Sequence, residues 1–160
     1  MFTRVHWVYR SDVARIGIMA RPRGHEWLDG ELQRLREQGV EVLVSLLERA
    51  EMEALGLSQE AQLAKRHQVQ FLLHPVVDRG VPSDRRDFMD FIAKVEANFR
   101  EGKTVVVHCR MGIGRSSLTI AALLMRLGFD AAGAFELISG SRGMVVPDTE
   151  DQRQWLTTLY

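Results

Sequence analysis

Residues 104–127 constrain this chain more tightly than any other stretch. Thr104-Val105-Val106-Val107-His108 is a continuous apolar, β-branched run, the pattern of a strand covered on both faces. Arg115 to Leu127 follows and is apolar nearly all round (Leu118, Ile120, Ala121, Leu123, Leu124, Leu127). That predicts a helix running through the middle of a domain and stopping at Gly128. Between two segments that both demand burial lies a short connection with a cysteine and two glycines.

The flanking sequence repeats the alternation. Val5–Tyr9 and Val13–Met19 read as early strands, and residues 40–46 and 69–73 as inner strands. Helices are predicted over Trp27–Gln38, ended by Gly39, then over Ser58–His67 and Ser83–Arg100, where Phe88, Ile92, Val95 and Phe99 form one stripe. Asp130–Ser139 and Asp148–Leu159 complete the set, the last opened by Asp148, Glu150 and Asp151. The expected fold class is α/β. One three-layer domain over residues 1–160 has a mostly parallel central sheet flanked by helices.

The connection His108-Cys109-Arg110-Met111-Gly112-Ile113-Gly114-Arg115-Ser116 has the residues an anion site needs. Gly112 and Gly114 let the backbone curl so that successive N–H groups point inward. A following helix adds unpaired N–H groups and the positive end of its dipole. Arg115 supplies a planar fork for two oxygens of a phosphate, including charge that develops in a transition state. The same field acts on Cys109. A thiol of pKa roughly 8.5 falls to about 3.5–7.5 in such surroundings, and the thiolate is the nucleophile. The residues thus predict a phosphate-binding loop (Arg110, Met111, Gly112, Ile113, Gly114, Arg115) wrapped around an exposed, reactive Cys109. His108, at the strand end, is expected to orient the loop through a hydrogen bond.

An acid is also needed to protonate a leaving group. Asp78 in His74-Pro75-Val76-Val77-Asp78-Arg79-Gly80-Val81-Pro82 stands on a turn directly after a strand, 31 residues before Cys109. A strand–helix–strand unit between them would bring both to one edge of a parallel sheet. Asp84 and Asp87 read as helix-start residues instead.

The loop resembles the active-site loop of the protein tyrosine phosphatase superfamily, His-Cys-x5-Arg-Ser/Thr. The short chain, Met19-Ala20-Arg21-Pro22 and Val44-Ser45-Leu46-Leu47-Glu48-Arg49 look like small atypical dual-specificity phosphatases. The resemblance implies a metal-independent phosphatase with no cofactor, acting through a cysteinyl-phosphate. Its acid loop, an Asp followed four residues later by Pro, matches Asp78 and Pro82. Ser116 would help Cys109 leave in the second step. A glutamine near the last helix positions water in many members; here Gln152 and Asp148 share that neighbourhood, with capping as the other reading of Asp148. The implied substrate is a phosphorylated protein or peptide, with phosphotyrosine favoured. A phosphoinositide is the alternative, half supported because such enzymes carry basic residues at the places of both Arg110 and Ile113.

Other classes fit less well. Lys plus Arg equals Asp plus Glu at 21 each, which argues against a global grip on nucleic acid. No run of about 18 apolar residues predicts a membrane span. The single cysteine rules out an internal disulfide and suits a cytoplasmic protein. The five histidines are scattered, without metal-ligand spacing. No lysine follows a loop glycine as nucleotide P-loops require. Sulfurtransferases would not need Asp78, and thiol-dependent arsenate reductases recruit further cysteines. A non-catalytic phosphate-binding module is the remaining rival, though inactive relatives typically lose the Cys, the Arg or the acid.

Overall fold

β5 (Val105–His108) occupies the centre because its three valines must be covered on both sides. It lies between β2 (Arg15–Met19) and β3 (Val42–Ser45), parallel to both, with Met19 and Ser45 opposite His108. β1 (His6–Arg10) adds an antiparallel edge on β2, with its register shifted between Trp7 and Tyr9, and β4 (Gln70–Leu73) adds a parallel edge on β3. The sheet order is therefore β1-β2-β5-β3-β4. This is a computed structural model describing residues 1–160.

Alternate residues of β5 feed two separate cores. Val105 and Val107 pack with Phe88, Ile92, Val95 and Leu118 under α4 (Arg85–Arg100), α5 (Arg115–Arg126), α6 (Ala131–Arg142) and α7 (Glu150–Thr157). Val106 faces Leu28, Leu32, Leu35 and Ala64 of α1 (Leu28–Glu37) and α3 (Glu60–Arg66). This is the expected three-layer α/β architecture. As the sequence predicted, α5 is apolar all round because it is buried over most of its length. None of the helices is long and apolar enough to cross a membrane.

The strands are shorter than expected at their N-terminal ends, and one helix was not foreseen. α2 (Arg49–Ala54) follows β3 where the sequence showed no apolar stripe. It is set by a capping box in which the Glu48 amide donates to Glu51 Oε2 at 2.9 Å. Asp84 caps α4 by accepting from the Asp87 amide at 2.9 Å, as its reading as a helix-start residue required. The last helix differs: Thr149, not Asp148, caps it, and Asp148 is left for another task.

Phe88 anchors the larger core, edge-on to Trp155 at 5.3 Å and with no exposed surface. Phe88→Ala is expected to cost about 3–5 kcal/mol, measured by urea unfolding. A loss below about 1 kcal/mol would show that α4 does not dock as described.

Candidate active site

The chain leaves β5 at His108 and re-enters helix at Arg115, so residues 109–114 must turn at the sheet's C-terminal edge. Gly112 turns at φ +68°, and a Cβ there would lie 2.6 Å from the Met19 carbonyl. Gly114 has an ordinary φ of −90°, yet a Cβ on it would come within 2.1 Å of Asp148 Oδ1. One glycine supplies conformation, the other room.

Hydrogen bonds from outside fix which way the loop's peptides face. The Arg21 amide donates to Arg110 O at 3.1 Å. Arg142, in the last turn of α6, donates from Nη2 to Met111 O at 3.3 Å and from Nε to Gly112 O at 3.0 Å. With the Met111 carbonyl held by Arg142, the N–H of the same peptide, that of Gly112, is free to act on Cys109, and the Ser116 amide, in the first turn of α5, acts on it too.

Cys109 is only 3% exposed. The exposure expected of the thiol is not found, because the loop wraps over its own cysteine. Burial by itself would push the thiol up. The Ser116 hydroxyl and amide, the Arg115 charge and the Gly112 amide outweigh it, and the net shift is downward. The buried Ser116 hydroxyl has no oxygen or nitrogen partner that would draw it elsewhere.

Arg115, 2% exposed, is clamped by acids. Its Nη1 and Nη2 donate to the two carboxylate oxygens of Glu51 at 2.8 and 2.9 Å. Nη1 also donates to Val76 O at 2.9 Å, and Nη2 to Asp78 Oδ1 at 3.1 Å. Burial would raise the Glu51 carboxyl, but the hydrogen bonds and charge of Arg115 hold it below the usual carboxylate range. Nε of Arg115 takes no part in these bonds, which leaves that side of the fork for a ligand.

Asp78 lies beside Arg115. The Val76 amide donates to Leu46 O, carrying the segment after β4 along β3, and a tight turn from Val77 O to the Gly80 amide presents Asp78. Its side chain stays half exposed. Gln152 is fully buried; its Nε2 donates to Gly80 O at 3.0 Å, and its Oε1, close to Gly114, has no partner. Asp148 pairs with Arg79 of the acid turn at 3.4 Å. Both residues from the last helix region therefore lie against the loop.

His108 lies against the loop, with Nδ1 3.1 Å from Cys109 O. Its Nε2 lies 2.6 Å from Glu60 Oε1. Of the remaining loop positions, Met111 is 62% exposed at the rim and Ile113 packs against the core. Arg110 lies near enough to Glu51 for its charge to help lower that carboxyl.

Sequence reasoning missed Glu51, Glu60 and Arg142. Their partners lie 64, 48 and 30 residues away, and no local pattern announces such contacts. The one available signal was the Glu48-x-x-Glu51 capping box, which marks a helix start and therefore a fixed side chain.

Comparison with known proteins agrees with this geometry. Residues 17–129 match the family described as polymorphic toxin system, DSP-PTPase phosphatase. A 55-residue stretch, 33% of the chain, is 49% identical to human tyrosine-protein phosphatase non-receptor type 4 and covers 6% of that protein. A protein named as a tyrosine phosphatase in Invertebrate iridescent virus 3 is 28% identical over 131 residues, 78% of this chain and 52% of that one. The chain thus spans about half the length of the viral relative and a small part of the human one. Among solved structures, kinase associated phosphatase superposes with a TM-score of 0.88 at 20% identity, covering 98% of this chain and 93% of that one. PTPMT1 gives 0.78 at 21% identity, covering 98% and 93%. At those identities the likeness speaks for the fold. With the family match covering most of the sequence, the chain belongs to the dual-specificity-type phosphatases of the protein tyrosine phosphatase superfamily.

Proposed function

We propose that the protein hydrolyses phosphate monoesters through a cysteinyl-phosphate, acting on phosphorylated proteins with phosphotyrosine preferred. One observation carries this reading. A thiol held below its ordinary pKa by the Ser116 hydroxyl, the Ser116 and Gly112 amides and the Arg115 charge shares that guanidinium with the Asp78 carboxylate, 3.1 Å from Nη2.

In the first step the Cys109 thiolate attacks phosphorus and the ester P–O bond breaks. Protonated Asp78 gives its proton to the departing oxygen. The loop amides of residues 110–114 and Arg115 bind the phosphoryl oxygens as charge builds on them. An arriving phosphate competes with Asp78 for Arg115 Nη2, which frees the carboxyl to face the leaving group. In the second step water attacks the phosphocysteine and Asp78 takes the water's proton. The P–S bond breaks, the leaving sulfur being stabilised by the Ser116 hydroxyl. On this reading the unpartnered Oε1 of Gln152 accepts from that water, while Asp148 ties the acid turn to the loop through Arg79. Glu51 acts through Arg115 as a positioning residue.

Exposed Met111 and Val77 give the mouth an apolar rim that suits a phenyl ring. A phosphoinositide is the second reading. PTPMT1, crystallised in complex with PI(5)P, shares the fold at a TM-score of 0.77, and Arg110 offers one basic loop position. Ile113, packed into the core, offers none. A cytoplasmic location suits the free thiol.

Hydrolysis of an aryl phosphate should persist with a metal chelator and vanish in Cys109→Ser; activity unchanged in that variant would sink the proposal. The rate should rise with pH on its acid side as Cys109, its thiol held below the ordinary value, ionises; a rate flat across that range would argue against the lowered thiol. Asp78→Asn should lower kcat ~100-fold; an unchanged kcat would point to another acid. Glu51→Gln should lower kcat/KM at least about tenfold by loosening Arg115, and an unaltered value would leave Glu51 no positioning role. Catalytic efficiencies on phosphotyrosine, phosphoserine and phosphothreonine peptides against phosphoinositides decide the substrate class.

A further inference from the structure

Beneath the phosphate loop lies a buried acid–base pair that the proposed reaction does not use. Glu60 of α3 and His108 of β5 retain 1% and none of their side-chain exposure, and Glu60 Oε1 is 2.6 Å from His108 Nε2. The other imidazole nitrogen, Nδ1, faces the Cys109 carbonyl at 3.1 Å. A carbonyl oxygen only accepts, so Nδ1 must carry a hydrogen. A second hydrogen must then lie between Nε2 and Glu60, because two bare acceptors at 2.6 Å inside the protein would repel. The pair therefore holds one proton more than a neutral imidazole beside a bare carboxylate would.

Location decides what that proton does. His108 is the residue before the nucleophile and Glu60 lies on its far side. An imidazolium–carboxylate pair is neutral as a whole, with its positive end towards Cys109. Without the proton, the same pair would carry a negative charge next to the thiolate. We propose that Glu60 is a positioning residue that keeps His108 as an imidazolium and, through it, holds Cys109 ionised. This rests on Cys109 being the nucleophile.

The surroundings leave few other candidates. Met19 and Ser45, beside His108 in the sheet, carry no charge. Glu51 and Arg115 compensate one another. Glu96 of α4 is paired with Arg100 and Arg126. Only Glu60 and Cys109 act as charges on His108; burial alone would push the imidazole down, but they and their hydrogen bonds push it up. The second carboxylate oxygen of Glu60 is buried without a partner. That arrangement is costly for a contact serving packing alone, where a neutral side chain would suffice.

A raised imidazole stays charged at low pH and loses its proton as pH rises through its folded value. The effect on Cys109 is therefore read on the acid side. Glu60→Gln keeps the shape and removes the charge. Its Cys109 should react with iodoacetamide roughly tenfold more slowly at about pH 6, with the alkylation profile displaced to higher pH. Glu60→Asp should restore part of the rate. An alkylation profile that superimposes on that of the unaltered protein overturns the proposal, whatever happens to the melting temperature. If the Gln variant does not fold, nitrogen NMR of the unaltered protein gives the answer. His108 should have both ring nitrogens protonated from about pH 5 to about pH 7, and a singly protonated ring in that range overturns the inference. Both readouts work without substrate, so a failure of phosphatase activity is not confused with a failure of the pair.

Discussion

Successive peptide groups of extended backbone alternate in direction, so loop amides that face one thiol require something to hold their carbonyls back. Here the carbonyls of Arg110, Met111 and Gly112 are each taken by a donor on the outer side of the loop, from Arg21 and Arg142. Buried peptide groups must be paired, so these external donors and the inward-facing amides are two halves of one arrangement. The anchors come from the segment after β2 and the end of α6, which lie 89 and 30 residues from the loop positions that they bind. Folding of the whole domain is thus a condition for the loop to have its shape.

Charge follows the same logic. On the protonation states proposed above, Glu60, His108, Cys109 and Arg115, closed by the partly exposed Glu51, form a series that alternates in sign from one side of the sheet edge to the other. Each unpaired charge at this depth would be strongly unfavourable, and each has an opposite neighbour. Arg115 can be almost wholly buried because Glu51 takes both of its terminal nitrogens. Asp78 is the exposed end of the series, its side chain half open to solvent.

Much of this was legible in the sequence because it depends on short-range pattern. Val105–Val107 announced a doubly covered strand, and the stripe of α4 and the all-round apolar α5 announced where they pack. Gly112 marked a left-handed turn. Cys109, Arg115 and Asp78 could be placed together because parallel strands bring their C-terminal ends to one edge. What could not be read was the support. Glu51, Glu60 and Arg142 are ordinary charged residues on helices whose periodicity is unremarkable, and their meaning comes from contacts between distant segments. α2 escaped notice because six residues with little apolar content give no stripe. The burial of Cys109 was misjudged for a related reason: sequence shows which residues form a loop, not how completely the loop closes over one of them.

The register shift between Trp7 and Tyr9 bears on how copies of this molecule meet one another. β1 is a border of the sheet, and a straight border with a regular row of free main-chain donors and acceptors is a template for stacking further strands. The extra residue twists that row out of line, and a two-sided ribbon cannot be extended evenly from it. The opposite border, β4, is limited to four residues. Neither flank offers a long enough flat seam for runaway polymerisation, which lets the sheet keep its apolar interior without becoming the seed of a fibre.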